Sequence, residues 1–220
     1  MDKISKDHYL KFKKALSGKK LFLTPGCHDP LSAKLIEKEK FNFIFIGGFA
    51  LSSGQYGYPD AGIITLSELV NSTRKIQRST SLPCIVDADT GFGGTINIHR
   101  TVRDLADVGV AALIIEDQQF PKKCALTEKV KILNFQESCE RIKAAVKAAK
   151  ENKKQDIGII ARTDAYPVLG IKETVKRIKK FKSLGADAIF ATGIDTKKDL
   201  EIISKYKNLN LMLNITQNVE

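Results

Sequence analysis

Two aspartates and a glutamate stand directly after short apolar runs. Asp87 and Asp89 lie in VDADTGFGG, and Glu116 ends the run in IIEDQ. Two like charges so close together need a cation or shifted pKa values. Mg²⁺ prefers such hard oxygen ligands and keeps several waters, and Mn²⁺ can replace it. The three carboxylates are therefore a candidate Mg²⁺ site, although each alone would suit a solvated loop or a helix cap.

A cysteine beside two lysines follows Glu116 by a few residues. Cys124 comes directly after Lys122 and Lys123. Nearby cations lower the pKa of a thiol and raise its reactivity, so that it can act as a general acid or base. Lys122 and Cys124 are therefore candidate catalytic residues, while a small buried packing residue is the competing interpretation of Cys124.

An arginine stands near the end of a later apolar run, in IIARTDA. Arg162 could hold the carboxylate of a substrate through two parallel hydrogen bonds. A structural ion pair with one of the strand-end carboxylates explains the residue equally well.

Alternating strands and helices must position these side chains. The apolar runs are nearly continuous, which is typical of parallel strands buried on both faces. Helix caps support the amphipathic stretches between them, including Asp29 before Pro30 and the capping-box pair Thr65 and Glu68. The predicted strands are 21–24, 43–47, 84–88, 112–116, 157–161, 187–191 and 210–214, and the predicted helices are 3–17, 30–39, 66–79, 97–107, 135–151, 172–183 and 197–206.

This alternation predicts a parallel α/β domain, for which a doubly wound sheet and a TIM barrel compete. No Gly-x-Gly-x-x-Gly follows the first predicted strand, which disfavours a dinucleotide-binding sheet. Polar residues collect after the strands, from Thr24-Pro25-Gly26 to Asn214. A barrel brings all these strand ends to one face. The sequence therefore favours a single TIM (β/α)8-type barrel domain with an extra N-terminal helix, which spans residues 1–220.

The predicted barrel is one βα unit short. Seven strands fill the 220 residues, whereas a closed barrel usually needs about 250. The eighth βα unit and the C-terminal helices have no counterpart, and an open barrel exposes two strand edges. We expect either a truncated chain or a partner that covers the gap, and hence a homo-oligomer.

Composition excludes several classes of protein. No run of 18 apolar residues and no secretory signal are present, which predicts a cytoplasmic protein without a membrane partner. The net charge of +11 comes from scattered lysines without interleaved aromatic residues, so no nucleic-acid partner is expected. The four cysteines match no zinc motif, and Cys27, Cys84 and Cys139 are expected to be packing residues.

The chain resembles the isocitrate lyase/phosphoenolpyruvate mutase superfamily from about Leu21 to Thr216. The resemblance rests on PGCHDPLSAKLIE, GGFALSSGQYGYPDAG, VDADTGFGG, IIEDQQFPKKC, IIARTDA and LNIT, which stand in the family's order and spacing. The short-form members are the most similar: methylisocitrate lyase, dimethylmalate lyase, oxaloacetate hydrolase and carboxyphosphonoenolpyruvate mutase-like proteins. The resemblance implies a Mg²⁺-dependent barrel that assembles into dimers or tetramers.

The resemblance also implies roles for individual residues. Asp87, Asp89 and Glu116 match the family's metal carboxylates, some acting through water. Asp60 matches an acidic residue at the border of the site. Gly47-Gly48-Phe49 matches the loop whose backbone N–H groups hold a substrate carboxylate.

Further matches concern the substrate and the proton donor. Arg162 matches the substrate-binding arginine, and Asn214 matches a substrate contact after the seventh strand. Cys124 matches the acid/base cysteine of the lyase branch. Thr192 stands at a substrate position where methylisocitrate lyases carry a glutamate.

The chain departs from the lyases in ways that leave its activity open. Ala125 and Leu126 replace the Gly-His that usually follows the cysteine, and Gly47 replaces a serine. The resemblance implies cleavage of a carbon–carbon bond in a small 2-hydroxy or 2-oxo dicarboxylate, through the enolate of a pyruvate-like product. The alternatives are phosphonate or carboxyphosphonate chemistry, oxaloacetate hydrolysis, and a ligand-binding relative with weak catalysis.

Overall fold

The computed structural model describes residues 2–18, 20–125, 128–206 and 209–214, with the backbone alone for 2–6. The strands are β1 (Gly26–Cys27), β2 (Ile44–Ile46), β3 (Cys84–Asp87), β4 (Ala112–Glu116), β5 (Gly158–Thr163), β6 (Ala188–Ala191) and β7 (Leu211–Met212). The helices are α1 (Asp2–Ser17), α2 (Pro30–Lys38), α3 (Gly48–Tyr56), α4 (Leu66–Ser79), α5 (Thr95–Ala106), α6 (Phe135–Glu151), α7 (Tyr166–Ser183) and α8 (Lys197–Ser204).

All seven strands form one parallel sheet in the order of the chain, from β1 to β7. At least one helix lies between each two successive strands. This repeated βα arrangement curls the sheet into a half-barrel of the TIM type, which confirms the predicted fold class. Within the described residues, β1 and β7 are the open edges of the sheet.

The inside of the half-barrel is filled from the amino ends of its strands by α1. Phe12 is 3% exposed and lies in an apolar cluster with Phe43, Ile114 and Phe190. A Cβ added to Gly158, at the start of β5, would lie 2.4 Å from Cε1 of Phe12. The ring therefore packs directly on the backbone of β5.

A second, larger core lies between the sheet and the surrounding helices. Cys27, Cys84 and Cys139 are buried in it as free thiols, as predicted. Burial raises the pKa of each of these thiols. Among the helices that the structure describes, none is long and apolar enough to cross a membrane.

The first predicted strand was misplaced. Residues 21–24 are not a strand, and Leu21 and Leu23 are largely exposed. The ladder instead joins Gly26 to Phe45 and Cys27 to Ile46. Pairing with the short β2 decides the position of this strand, and apolar side chains alone do not reveal that register.

One helix was missed, and one began earlier than predicted. The missed helix is α3, whose sequence includes Gly54 and has weak helix propensity. The burial of Leu51 anchors this helix against the core. In α7 the structure begins at Tyr166 instead of 172, because Gly170 (φ 74°) joins a short first turn to the main helix. The other helices and strands differ from prediction by two residues or fewer at each end.

Candidate functional site

The carboxyl ends of β3, β4 and β5 bring the predicted site residues together around one guanidinium group. Asp87 ends β3, and Glu116 ends β4 beside Arg162 of β5. Nη1 of Arg162 lies 3.1 Å from Oδ2 of Asp87 and 3.3 Å from Oε2 of Glu116. Nη2 lies 3.1 Å from Oδ1 of Asp164. Arg162 is therefore paired with carboxylates of the protein itself.

A second cation, Lys122, lies between two other carboxylates. Its ammonium is 2.7 Å from Oδ1 of Asp89 and also contacts Asp60, and the lysine is 3% exposed. Burial lowers the pKa of Lys122, but the surrounding carboxylates outweigh burial and raise the pKa overall. Asp89 reaches this position through a left-handed backbone (φ 50°), which aspartate tolerates better than most residues.

The site holds more negative than positive groups. Burial raises the pKa of Asp89 to about 6, opposed by Lys122, and burial raises the pKa of Glu116 well above its ordinary value. Five carboxylates share the site with two cations, an excess of three negative groups when all are ionised; they are Asp60, Asp87, Asp89, Glu116 and Asp164, against Lys122 and Arg162.

Several buried oxygens lack a hydrogen-bond donor among the described residues. Oε1 of Glu116 has no partner there, and Oδ1 of Asp60 and of Asp89 contact Lys122 without hydrogen-bond alignment. A divalent cation would supply the missing positive charge. In the part of the chain that the structure describes, no three His, Cys, Asp or Glu side chains are close enough to coordinate one ion directly. The residues fit an ion that is held partly through water.

The predicted Gly47-Gly48-Phe49 loop is the N-terminus of α3. Gly47 is the N-cap, and the following N–H groups have no acceptor within the helix. A Cβ added to Gly48 would lie 2.9 Å from Oδ1 of Asp89 and 3.3 Å from Nζ of Lys122. Glycine thus lets a helix N-terminus, which favours anions, lie against the carboxylate cluster. The Phe49 side chain is exposed.

The remaining predicted residues differ in their burial. Cys124 is 8% exposed and lies two residues after Lys122, whereas Asn214 is exposed. The Thr192 hydroxyl is buried against Asp164 and the Thr163 carbonyl. Leu126, which stands where the lyases carry histidine, lies outside the described residues, as do the last two residues of the LNIT motif.

Four buried polar residues in and below the site were not predicted as site residues. Asp164 binds Arg162, and Gln118 donates to Asp164 at 3.1 Å. Asp117 accepts from Arg177 at 2.8 Å. Their position after strands could have identified the first three, since each lies within two residues after the end of a buried strand. Arg177 is the one arginine among the lysines of α7, and this residue type was the signal that could have indicated a buried ion pair.

A half-barrel with buried carboxylates and an arginine at the carboxyl ends of its strands is the architecture of a TIM-type enzyme domain. The family profile described as phosphoenolpyruvate phosphomutase matches residues 12–220. The chain belongs to this family, within the isocitrate lyase/phosphoenolpyruvate mutase superfamily that the sequence motifs indicated.

Among curated relatives, 2,3-dimethylmalate lyase of Eubacterium barkeri is 37% identical over 195 residues, which are 89% of this chain and 66% of the relative. The 2-methylisocitrate lyase of Bacillus subtilis (strain 168) is 34% identical over 207 residues, 94% of this chain and 67% of that enzyme. The chain thus spans about two thirds of the length of these relatives.

Solved structures show the same fold. Oxaloacetate acetylhydrolase in complex with 3,3-difluorooxalacetate aligns with a TM-score of 0.92 and 29% identity, covering 100% of this chain and 74% of that one. A phosphonopyruvate hydrolase complex with oxalate and Mg²⁺ aligns with a TM-score of 0.82 and 32% identity, covering 94% and 71%.

Proposed function

We propose that this chain is the barrel of a Mg²⁺-dependent lyase that cleaves a carbon–carbon bond in a small 2-hydroxy or 2-oxo dicarboxylate. The observation that carries the proposal is the Arg162 guanidinium held among Asp87, Glu116 and Asp164, with Oε1 of Glu116 left without a donor. Such a site combines a cation for a substrate carboxylate with ligands for a metal. The dimethylmalate and methylisocitrate lyases in the family support this class of reaction.

The cation would be held by Asp87, Asp89 and Glu116, directly or through water. When bound, Mg²⁺ supplies positive charge that stabilises a negatively charged enolate. The raised pKa values of Asp89 and Glu116 reflect the cost of keeping both ionised in a buried place without such a charge.

The chain's own groups would bind the substrate from two sides. Arg162 would bind a substrate carboxylate and favour the enolate electrostatically. The first N–H groups of α3, after Gly47, would donate hydrogen bonds to a second carboxylate at the helix N-terminus. Two anion-binding groups of this kind favour a dicarboxylate over a monocarboxylate substrate.

Cys124 would donate its proton to the enolate fragment, which carries the electron pair of the broken carbon–carbon bond. The other fragment would leave with the new C=O group, after a carboxylate of the site has taken the proton of the substrate hydroxyl. Cys124 stands two residues from Lys122, whose ammonium lies inside the carboxylate cluster. The thiol is nearly buried, so it can donate a proton without competition from bulk water.

Thermal unfolding with Mg²⁺ and oxalate, a mimic of the pyruvate enolate, tests whether the site assembles. Four conditions are compared: no addition, Mg²⁺, oxalate, and both together. We expect the largest rise in Tm with both together and little with oxalate alone, because the cation offsets the excess negative charge that would otherwise repel the anion. The control is Lys13→Met, because Lys13 pairs with Asp187 at the amino ends of the strands. This variant should keep the rise in Tm. No rise in any condition contradicts an assembled site.

Release of pyruvate, oxaloacetate or glyoxylate from candidate acids then tests the reaction. Cys124→Ala should lower cleavage by at least about a hundredfold, within the range for a lost general acid, and keep the shift with Mg²⁺ and oxalate. If a ligand shift is seen but no candidate acid is cleaved, the chain is a ligand-binding relative and the lyase proposal is wrong.

Hydrolysis of oxaloacetate is a second candidate, favoured by the alignment of oxaloacetate acetylhydrolase over the whole chain. Phosphonate chemistry is a further possibility on the same scaffold, given the aligned phosphonopyruvate hydrolase. Full activity of Cys124→Ala on oxaloacetate or on a phosphonate would favour one of these over the lyase. The products of hydrolysis, oxalate with acetate from oxaloacetate or phosphate with pyruvate from phosphonopyruvate, distinguish the two.

We further propose a homo-oligomer, a dimer or tetramer, in the cytoplasm, with a small carboxylate as ligand and with neither nucleic acid nor membrane as partner. Within the described residues, β1 and β7 have no neighbour on one side, and this supports the oligomer, because an unpaired strand edge exposes backbone groups to association. A monodisperse monomer in light scattering would contradict it.

A further inference from the structure

Below the candidate site, Asp117 and Arg177 form a buried ion pair. Nη1 of Arg177 lies 2.8 Å from Oδ2 of Asp117, and the two side chains are 1% and 0% exposed. The attraction in such a pair often fails to exceed the energy lost on removing both charges from water. The other hydrogen bonds of the two side chains therefore indicate what the pair contributes.

The Asp117 carboxylate holds the end of β5. Its Oδ2 accepts from Oγ1 of Thr163 at 2.6 Å, and its Oδ1 accepts from the backbone N–H of Asp164 at 3.0 Å. Asp164 in turn accepts from Nη2 and Nε of Arg162 at 3.1 and 3.3 Å. The carboxylate that orients the Arg162 guanidinium is thus itself held in place by Asp117.

Arg177 contacts the far end of the connection that follows β4, of which residues 118–125 and 128–133 are described. Its Nη2 donates to the carbonyl of Leu133 at 2.8 Å, while the N–H of Leu133 donates to the carbonyl of Asp117 at 2.8 Å. Lys122 and Cys124 lie in this connection. Its two ends are therefore joined to each other and, through Asp117, to the end of β5.

We propose that Asp117 and Arg177 are positioning residues. They set where Arg162 and the segment with Lys122 and Cys124 lie, without contacting the reactants. The role of Arg162 in anion binding rests on the proposed function, whereas the placement of the connection after β4 does not.

The test compares two variants that remove the contacts in different ways. Asp117→Asn/Arg177→Met removes both charges, so that neither is left buried without a partner. Arg177→Lys keeps the charge, but a single ammonium cannot reproduce the planar fork that reaches Asp117 and Leu133 together. Lys13→Met is the control, since its pair with Asp187 lies at the opposite ends of the strands.

The first measurement is the rate at which a thiol reagent modifies Cys124, identified by peptide mass spectrometry and absent in Cys124→Ala. In both Arg177 variants, the rate should rise at least about tenfold, because a freed connection opens more often. It should be unchanged in Lys13→Met. An unchanged rate in the folded double variant, or in Arg177→Lys if the double variant does not fold, overturns the proposal.

The second measurement is the affinity for oxalate in the presence of Mg²⁺, by calorimetry. We expect at least about tenfold weaker binding in both Arg177 variants, because a small displacement of Arg162 loses much of its contact with the anion. If Arg177→Lys matches the wild type in both measurements, the pair only neutralises charge and the proposal is wrong. If the wild type itself binds no oxalate, the proposed function fails, and the Cys124 rates still decide the placement of the connection.

Discussion

At the amino ends of the strands, α1 fills the half-barrel with the Phe12 ring, and its polar groups find partners. The ring nitrogens of His8 lie 3.1 Å from the Gly109 carbonyl and 3.2 Å from the Ser81 carbonyl, and Lys13 lies 2.6 Å from Asp187. At the carboxyl ends, the same sheet ends in an excess of buried carboxylates, and Oε1 of Glu116 has no hydrogen-bond donor among the described residues.

Within this one sheet, the amino ends of the strands contribute to stability and the carboxyl ends carry the groups that would bind ligands. Apolar packing and the partnered polar groups of α1 at the amino ends lower the free energy of the folded state. Buried like charges at the carboxyl ends raise it and create affinity for a cation and an anion. Substitutions at the amino ends should therefore change stability, and substitutions at the carboxyl ends should change ligand binding.

Phe12→Ala should give the largest effect on stability. Removing a buried phenyl ring costs about 3–5 kcal/mol, and each kcal/mol lowers Tm by about 2–4 °C for a chain of this length. Urea and thermal unfolding measure the loss. The protein that remains folded should still respond to Mg²⁺ and oxalate. A loss below about 1 kcal/mol would mean that α1 contributes little to the core.

The same substitution at two glycines sharpens the comparison. Gly158→Ala places a Cβ 2.4 Å from Phe12 and should cost about 1–3 kcal/mol through overpacking, with ligand binding retained. Gly48→Ala lies in the first turn of α3, where alanine suits the helix, so stability should change by less than about 1 kcal/mol.

The Cβ that Gly48→Ala adds would meet Oδ1 of Asp89. The affinity of this variant for Mg²⁺ with oxalate should therefore fall at least about tenfold. Paired unfolding and calorimetry on both variants measure the two effects. Equal losses of stability at the two glycines would contradict the division between the two ends.

Glu116→Gln should stabilise the metal-free protein, by on the order of 1 kcal/mol. The amide removes a buried negative charge whose pKa is raised by burial, while Arg162 keeps Asp87 and Asp164 as partners. The stabilisation by Mg²⁺ with oxalate should disappear. Glu151→Gln, an exposed carboxylate on α6, is the matched control and should change neither quantity. Destabilisation by Glu116→Gln would show that the ionised carboxylate supports the fold.

Lys13→Met should have the smallest effect, a loss of about 0.2–1 kcal/mol. The ammonium is partly exposed, and Asp187 keeps the hydrogen bond from the Ile159 N–H at 2.9 Å. The methionine retains most of the apolar stem of lysine. Unfolding measurements at low and high salt should show a difference from the wild type that shrinks with salt. Any change in ligand binding would be unexpected this far from the site.

Periodicity and strand-end chemistry identified most of the fold and the centre of the site from the sequence. Six of the seven predicted strands overlap observed ones, and Asp87, Asp89, Glu116, Lys122 and Arg162 meet at the ends of β3 to β5. Such predictions succeed because the carboxyl ends of successive parallel strands converge whatever the details of packing. Cys27, Cys84 and Cys139 were also correctly assigned to the core.

Other features depended on contacts between residues distant in the chain. The position of β1 follows from its register with β2. Helix α3 forms although its glycines disfavour a helix, because Leu51 is buried against the core. Arg177 is the one arginine among the lysines of α7, but only packing places it against Asp117 and Leu133. The sequence by itself determined which chemical groups stand at the strand ends, because side-chain type and its position after an apolar run are local properties. Tertiary structure decided which of those groups pair with each other and which keep an unpaired charge, because that depends on distances of a few ångströms between separate elements.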